Sequence, residues 1–543
     1  MAVKKTSKQR KAVKKICRKV KVKGSRRTKT VCRPKKKKVV RRKVVAPAAK
    51  PPASVITRAP VTGGGPVPVP SPAAPPVTTP PAPGPAPPEQ PPPTAAGLPV
   101  YDATFGVAQA QRLLWRAGFG PRSGQAEALA ELGVVAAVRS LTRPSGAATL
   151  TGAAPTVGGA PIAPYDAWGH DHLWWLDRMV RSDQPLVERM ALIWHDWLAT
   201  TNADVNNRPL MRTQNELFRR HALGSFAELI TDVTTDPAML IFLSGIENRR
   251  QAPNENYARE LMELFTLGAD RGAYTETDVR SLARALTGWR ADWSDAVGFN
   301  NFRFDTTRYD ATSKTLWAGT SYERSGTFGW RDACSLVLEN PFHRSHFVAK
   351  LWSYFVPSPP SAGTQAALES LYVTSGHSIA QVVEAILLHP DLYTGAPLVK
   401  PPAVYIAGLL RATDQTIAQD AWVWLAALAG QQLFYPPNVS GWNERAWLDT
   451  STTYGRWYVA YYALAPKLAT AASYAGSTET GAQALATAID AAGRPALTAE
   501  TYATLLAFAE QPAPAGTGAN DFRALRQNAL RQLAASSPDA QLS

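Results

Sequence analysis

One side of a predicted helix, in the stretch NENYARELMELFTLG, carries two carboxylates, an amide and a guanidinium. At 100° per residue, Asn256, Glu260 and Glu263 fall within about 60° of one another, with Arg259 beside Glu263. Hydrolysis of a glycosidic bond needs two carboxylates about 5 to 9.5 Å apart, and residues i and i+3 lie about 5–6 Å apart at Cβ. Glu260 and Glu263 are therefore candidate catalytic residues, and Asn256 and Arg259 are candidate substrate-binding residues. The alternative is a buried ion-pair network that joins helices, which also perturbs pKa values.

Two further residues are catalytic candidates from elsewhere in the chain. His195, in IWHDW, can act as acid, base or ligand, but a histidine on a helix that is apolar nearly all round is more often a core residue. Two carboxylates on one helix flank share one side of a ligand, so a carboxylate from elsewhere is a more natural partner for Glu260. Asp310 is our candidate for that partner, and Asp196 is the other.

The loop LFYPPNVSGWNERAWLD carries aromatic side chains among Pro, Gly and Asn. Trp442 and Trp447 suit stacking on the faces of sugar rings, and they equally suit packing against a core. We include both as candidate substrate-binding residues and keep plain packing as the alternative. The chain has no phosphate-binding loop, nucleophile elbow, CxxC pair or dinucleotide fingerprint, which removes the enzyme classes that depend on them.

The elements that must position these residues are helices. Residues 256–267 carry an apolar stripe at helical period, and residues 276–286 carry another that Thr275 and Asp278 can cap. Residues 183–200 are apolar on nearly all sides, which predicts a central helix. Aromatic residues spaced by Gly and Thr at 299–330 indicate an irregular or β-hairpin insertion. We predict an all-α fold, a large single helical array with that insertion.

Composition divides the chain into three parts. Residues 1–45 form a polybasic tail, since residues 1–50 hold 23 Lys and Arg and no Asp or Glu. Residues 46–100 are a Pro/Ala-rich linker with 20 of the 45 prolines, a composition typical of extended polyproline II. Residues 101–543 are the predicted helical domain. Outside residues 1–50 the chain has 36 basic and 42 acidic residues, a net charge of −6.

Cysteine usage leaves one question open in the tail. Cys17 and Cys32 flank an alternating run with a Gly24–Ser25 turn signal, which is compatible with a hairpin closed by a disulfide. Two free thiols in a disordered tail are the alternative. Cys334 has apolar neighbours and is predicted to be a buried small hydrophobe.

Several segments in fixed order resemble the bacterial domain of unknown function 1800 family. They are NENYARELMELFTLG with YTETDVRSLARALTGW, RLLWRAGFGP at 112–121, ERMALIWHDWLATT at 188–201, RRHALGSFAELITDVTTDPAMLIFL at 219–243, and LFYPPNVSGWNERAWLDTST at 433–452. The resemblance covers about residues 101–465. It implies a large, mostly secreted bacterial protein of unestablished activity.

The resemblance also bears on metals and location. The family often carries a second histidine two positions after His195, where this chain has Trp197, and a His-Asp-Asp segment where this chain has Tyr309 before Asp310. We therefore predict no metal and no cofactor. The family is usually exported, so we expect a cell-envelope or extracellular location. No apolar signal segment follows the basic start and no transmembrane run is present, which leaves a cytoplasmic location open.

Two functions compete on these observations. The first is an envelope or secreted hydrolase acting on a glycan or similar polymer, with Glu260 and Glu263 as acid and base. The second is a non-enzymatic envelope scaffold or binding protein with a basic anchoring tail. In both, residues 1–45 are expected to bind a polyanion: an acidic wall polymer, anionic lipid or nucleic acid.

The first prediction concerns the tail. If about ten of its charges engage a DNA-like polymer, counterion release gives a log–log salt slope near −9. The measurement compares the full chain with a chain that begins at Tyr101 on an anionic resin and on anionic liposomes across a salt series. Equal retention of the two chains, or retention that does not depend on salt, would rule out an electrostatic anchor.

Overall fold

The fold is taken from a computed structural model of the chain, which describes residues 15–21, 28–34 and 97–543. The chain divides into two compact units, Met1–Pro88 and Glu89–Ser543. In the first unit, β1 (Lys15–Lys21) and β2 (Thr28–Pro34) pair antiparallel, with Cys17 opposite Cys32 in the register. The hairpin is therefore present, and the disulfide stays a prediction. The rest of the tail and the linker up to residue 96 lie outside the described residues.

The second unit consists mainly of helices. Its first ten are α1 (Val107–Arg116), α2 (Gln125–Thr142), α3 (His170–Arg181), α4 (Pro185–Trp197), α5 (Asn202–Val205), α6 (Arg208–Arg220), α7 (Phe226–Thr235), α8 (Pro237–Phe242), α9 (Asn256–Glu260) and α10 (Glu276–Ala285). The next eleven are α11 (Trp330–Glu339), α12 (Pro341–Ser353), α13 (Ala362–Thr374), α14 (Ile379–Leu388), α15 (Pro390–Thr394), α16 (Pro402–Ala412), α17 (Ala421–Leu428), α18 (Thr450–Leu464), α19 (Gly481–Ala491), α20 (Ala499–Ala509) and α21 (Ala519–Ser536). With 55% helix against 7% strand, the predicted mostly helical fold is confirmed. No helix in the described part of the chain is long and apolar enough to cross a bilayer.

The remaining strands form three two-stranded antiparallel hairpins. They pair β3 (Thr156–Val157) with β4 (Ala160–Pro161), β5 (Trp289–Ser294) with β6 (Gly298–Phe304), and β7 (Lys314–Leu316) with β8 (Arg324–Gly326). The predicted insertion exists but begins about ten residues earlier than expected. The reason is Gly288, whose φ of +115° turns the chain out of α10, and where a Cβ would lie only 2.5 Å from the Phe304 ring.

The core sits around α4, as its all-round apolar character predicts. Met190 and Trp194 belong to a hydrophobic cluster shared with helices from α1 to α15, whereas Leu192 belongs to a second cluster built with α3 and α16–α21. One helix thus joins both halves of the core. Because Trp194 and Leu192 are almost completely buried, shortening either would leave a cavity at this junction.

The helix predicted at 256–267 forms, but its second half is wound differently. The α-helix α9 passes directly into a π-helix at Leu261–Thr266. Its last carbonyls lack helical partners, as at any helix end. Side chains supply the donors: Lys350 Nζ reaches Leu264 O at 3.4 Å, Trp197 Nε1 reaches Phe265 O at 3.2 Å, and His343 Nδ1 meets Thr266 O at 3.0 Å. The apolar stripe predicts a helix here but does not reveal where its hydrogen bonding changes from i→i+4 to i→i+5.

The second helix of this pair begins as predicted. The Thr275 hydroxyl accepts from the Asp278 N–H at 3.3 Å, and the Asp278 carboxylate accepts from the Thr275 N–H at 2.7 Å. This reciprocal cap fixes the start of α10 beside α9. Cys334 is buried as expected, and burial raises the pKa of its thiol to about 11.

Candidate functional site

The carboxylate flank lies at the junction of α9 and the π-helix, where Glu260 and Glu263 are both half-buried. Glu263 accepts a hydrogen bond from the Tyr274 hydroxyl at 3.1 Å. Burial, and then the neighbouring Glu263 charge, raises the pKa of Glu260, while Arg259 acts in the opposite direction. A carboxyl group whose pKa is raised in this way is suited to act as a general acid.

Arg259 forms no ion pair with Glu260 or Glu263. Its two terminal nitrogens donate to the carboxylate of Glu276, at 2.6 and 2.8 Å, and one of them lies 3.4 Å from Glu255. The guanidinium therefore ties α9 to α10 through a surface ion pair, since the Arg259 and Glu276 side chains are 31% and 58% exposed, and not through the buried network of the alternative interpretation. Asn256 is exposed at the start of α9. The substrate-binding roles of Asn256 and Arg259 stay predictions.

His195 is not on an open surface, which corrects its place in the expected site. It is fully buried, neither ring nitrogen has a hydrogen-bond partner, and its ring packs against those of Trp175, Phe434 and Trp442 at centroid distances of 5.2, 5.7 and 5.6 Å. Burial lowers the pKa of His195 to about 3, so the imidazole is neutral. The core interpretation that competed with the catalytic one describes this residue.

Asp310 also lies away from the carboxylate pair. Its carboxylate accepts from Arg284 Nε at 2.8 Å and from the Thr312 N–H at 2.9 Å. Burial alone would raise the pKa of Asp310, but these hydrogen bonds outweigh it and lower the pKa to about 2. Asp310 anchors the insertion to α10, and no contact among the described residues joins it to Glu260 or His195.

The two loop tryptophans are buried, contrary to the expectation that they offer stacking faces. Trp442 is 7% exposed and Trp447 is 5% exposed. Both belong to the second hydrophobic cluster. The packing interpretation is correct for these rings, and the physical reason is the closeness of their loop to α4. Gly441, with φ +85°, comes so near Asp196 that no Cβ would fit.

That contact reveals a polar cluster that sequence reasoning did not assemble. The Asp196 carboxylate accepts from the Trp442 N–H at 2.8 Å and from the Tyr354 hydroxyl at 2.7 Å. Burial raises the pKa of Asp196, and burial lowers the pKa of nearby Lys350 to about 8. The available signal was an acidic residue at the end of a helix that is mostly buried, since a carboxylate there needs partners.

A pocket opens beside this polar cluster, between α4 and the loop. Arg189 and Asp196 line it from α4, and Glu444 and Trp447 line it from the loop. It offers about 30 Å³ to the centres of water molecules. At about 10–15 Å³ for one water, that is room for two or so. A sugar ring does not fit, but a small polar group does. We refer to this space as the Arg189 pocket.

A much larger depression lies on the surface. We call it the aromatic groove, and its volume is about 1280 Å³. Its aromatic lining residues are Tyr165, Trp168, Trp293, Phe299, Phe302 and Tyr435, and its amide lining residues are Asn202, Asn206, Asn207, Asn300 and Asn301. The segments that line the groove are loops rich in Trp and Asn. Because these segments lie far apart in the chain, the sequence does not show that they meet.

The comparisons with known proteins identify the family. A family model described as "Protein of unknown function (DUF1800)" matches residues 112–542. The chain belongs to this family. No curated protein and no solved structure matches the chain. For this DUF1800 protein, function must therefore be argued from its own residues.

The second prediction compares two glutamates on neighbouring helices whose pKa values are shifted in opposite directions, Glu260 upward and Glu276 downward. The pKa of Glu260 is raised in the folded state, so ionisation costs stability as the pH rises above the unfolded value near 4.5. Glu260→Gln is expected to raise the melting temperature modestly at pH 7, with the gain vanishing below about pH 4.

Glu276→Gln is the matched control and should behave with the opposite sign. The hydrogen bond from Arg259 lowers the pKa of Glu276, so its stabilising contribution is present above pH 4.5 and is lost as the pH falls through the folded-state value. Thermal unfolding from pH 3 to pH 7 measures both variants. A large loss of stability in Glu260→Gln at pH 7 would assign Glu260 to an ion pair instead.

Proposed function

We propose that this protein binds a glycan or similar polymer of the bacterial cell envelope in the aromatic groove. The observation that carries the proposal is the exposure of large rings on several separate elements. Trp168 is 62% exposed, Trp293 is 65% exposed and Tyr165 is 54% exposed. Burying rings of this size is favourable, so their exposure around one depression is typical of a ligand surface.

The polar residues of the groove fit the hydroxyl groups of a sugar. Side-chain amides provide both donors and acceptors, as hydroxyl groups require. The amides are also held in place: Asn202 Nδ2 donates to the Tyr435 hydroxyl at 3.0 Å, and Asn207 Nδ2 donates to Val297 O at 3.3 Å. The lining also holds Asp166, Asp204, Asp295 and Arg208, three acidic groups against one basic group, so the groove favours a neutral polar chain over an apolar or anionic one.

The dimensions favour a polymer. Pockets for small ligands have volumes of about 300–1,000 Å³, and the groove exceeds that range while remaining open. Its walls come from the loop before α3, from α5 and α6, and from the β5–β6 hairpin, so a bound chain would run across several elements. The basic residues 1–45 would add attachment to a polyanion of the envelope.

Hydrolysis is a second candidate function. The raised pKa of Glu260 beside Glu263 is the observation that favours it, since glycoside hydrolysis needs one protonated and one ionised carboxyl group. Both groups lie on one side of a helix, and Asp310 and His195 are engaged elsewhere. Binding is therefore the better-supported function.

The third prediction tests the aromatic groove. Trp168→Ala and Trp293→Ala should each weaken binding to peptidoglycan or to soluble glucans about tenfold, since a stacked ring contributes about 0.5–1.5 kcal/mol beyond its buried area. Trp457→Ala is the matched control, because Trp457 is 53% exposed on α18 and does not line the groove. Affinity electrophoresis and sedimentation with the insoluble polymer measure the effect.

The outcomes separate the proposals. If all three variants bind as the parent does, or if the parent retains none of the polymers, the groove is not a glycan site. Release of reducing ends from the bound polymer, abolished by Glu260→Gln but not by Glu276→Gln, would instead establish the hydrolase.

A further inference from the structure

The solvent-facing side of α18 is aromatic and carries no charge. Four large rings share that side because they recur at i, i+3, i+4 and i+7, namely Tyr454, Trp457, Tyr458 and Tyr461. Each of these residues is between 37% and 59% exposed. The one charged residue of the helix, Arg456, is fully buried on the opposite side and donates to Trp447 O at 2.9 Å. We refer to the aromatic side as the α18 face.

The packing of α18 in its own domain does not use this face. The opposite side of the helix is already covered, since Val459, Ala460 and Ala463 have no exposed surface. A helix at the surface of a protein ordinarily presents charged and polar side chains to water. Large rings without a charge among them instead indicate a surface that another molecule covers.

The rings of the α18 face hold one another in place. The Tyr454 hydroxyl donates to the Tyr458 hydroxyl at 2.9 Å, and the two rings meet edge to face at a centroid distance of 4.8 Å. Tyr461 contacts the ring of Tyr462 at 5.7 Å, and Tyr462 contacts that of Trp424 at 5.5 Å. Trp424 is 41% exposed and extends the face onto α17. Because these rings are already ordered, covering them costs little conformational entropy.

The size of the α18 face fits a protein partner. An aromatic side chain can bury about 150–250 Å², so the four rings of α18 and Trp424, each about half exposed, offer roughly 500 Å². A standard protein interface buries about 800 Å² on each partner, and its apolar core is surrounded by a polar rim. The α18 face is therefore large enough to form the core of such an interface.

Charge indicates which partner fits. Since the face has no charge of its own, it does not select an oppositely charged partner, and it meets no repulsion from an identical face. Closed two-fold dimers are the commonest protein assemblies, and each partner in them uses the same surface. Two copies of α18 that pack antiparallel across a two-fold axis also place their helix dipoles in favourable opposition.

We propose that the protein forms a two-fold symmetric dimer through the α18 face. The middle of the row of rings lies at Trp457 and Tyr458, so these residues of the two copies meet near the axis. The dimer goes beyond the proposed glycan binding and does not depend on it, because no ring of the face lines the aromatic groove. The affinity of one groove for its ligand is therefore expected to be the same in monomer and dimer.

The fourth prediction uses sedimentation equilibrium of the full chain at high salt, which prevents the basic tail from linking chains through a polyanion. The parent should sediment at twice its chain mass of 58.6 kDa at micromolar concentration. Trp457→Glu should be a monomer, because the dimer would bury two carboxylates near the axis. Trp457→Ala should raise the dissociation constant of the dimer about tenfold or more, and Trp457→Phe, which keeps a ring, should remain a dimer.

Trp293→Glu is the matched control, since it places the same charge at a tryptophan that is 65% exposed on β5, and it should remain a dimer. Circular dichroism checks that Trp457→Glu is folded. Its melting temperature should not depend on protein concentration, whereas that of the parent should rise with concentration.

Three results would overturn the proposal. A parent that stays monomeric up to about 100 µM excludes the dimer. If that monomer floats with neutral phosphatidylcholine vesicles and Trp457→Glu does not, the α18 face binds lipid and not a second copy. A dimer that persists in Trp457→Glu lies on another surface, and the assignment to α18 is then wrong.

Discussion

The Asp196 carboxylate, taken out of water on the central helix α4, is the constraint on which the site depends. A carboxylate taken out of water must find donors, and α4 is surrounded by both halves of the core. Two donors reach it: the Tyr354 hydroxyl, next to α12, and the Trp442 N–H, in the loop between α17 and α18. The chain must therefore bring this loop down onto α4, and Gly441 makes the close approach feasible.

The Arg189 pocket and the aromatic groove both follow from that loop position. On one side the loop carries Trp447 and Glu444 to the wall and rim of the Arg189 pocket. On the other, Tyr435 receives the Asn202 amide, and the Asn202 N–H donates to Phe434 O at 2.9 Å, which fixes the floor of the aromatic groove. A single polar anchor thus positions both the lining of the Arg189 pocket and the floor of the aromatic groove.

The π-helix extends the same arrangement to the carboxylate flank. Trp197, the residue after Asp196, donates to Phe265 O at 3.2 Å, and Lys350, near Asp196 in the polar cluster, donates to Leu264 O at 3.4 Å. Glu260 and Glu263 are therefore mounted on a segment whose end is held by α4 and α12. If Glu260 and Glu263 are catalytic, these hydrogen bonds from α4 and α12 would keep the two carboxylates in position.

The sequence predicted the helices more completely than it predicted the candidate site. Helical periodicity located α4 and α10, and the Thr275 cap was visible because capping depends on neighbouring residues. The burial of His195, Trp442 and Trp447 was not decidable, since it depends on which distant segments meet. Tyr354 and Lys350 illustrate the same limit: each is unremarkable in its own segment, and the polar cluster that they form with Asp196 exists only after folding. The aromatic groove was not predicted from the sequence for the same reason.

The most direct measurement is native-state hydrogen exchange of the Trp442 amide. Trp442 lies in a loop, where amides ordinarily exchange through small local openings. If the bond to Asp196 holds the loop on α4, this amide should be protected to nearly the same degree as the amides of α4. The Ser440 amide, bonded only to Asn438 within the loop at 2.8 Å, should exchange much faster. Exchange of Trp442 as fast as Ser440 would contradict the account.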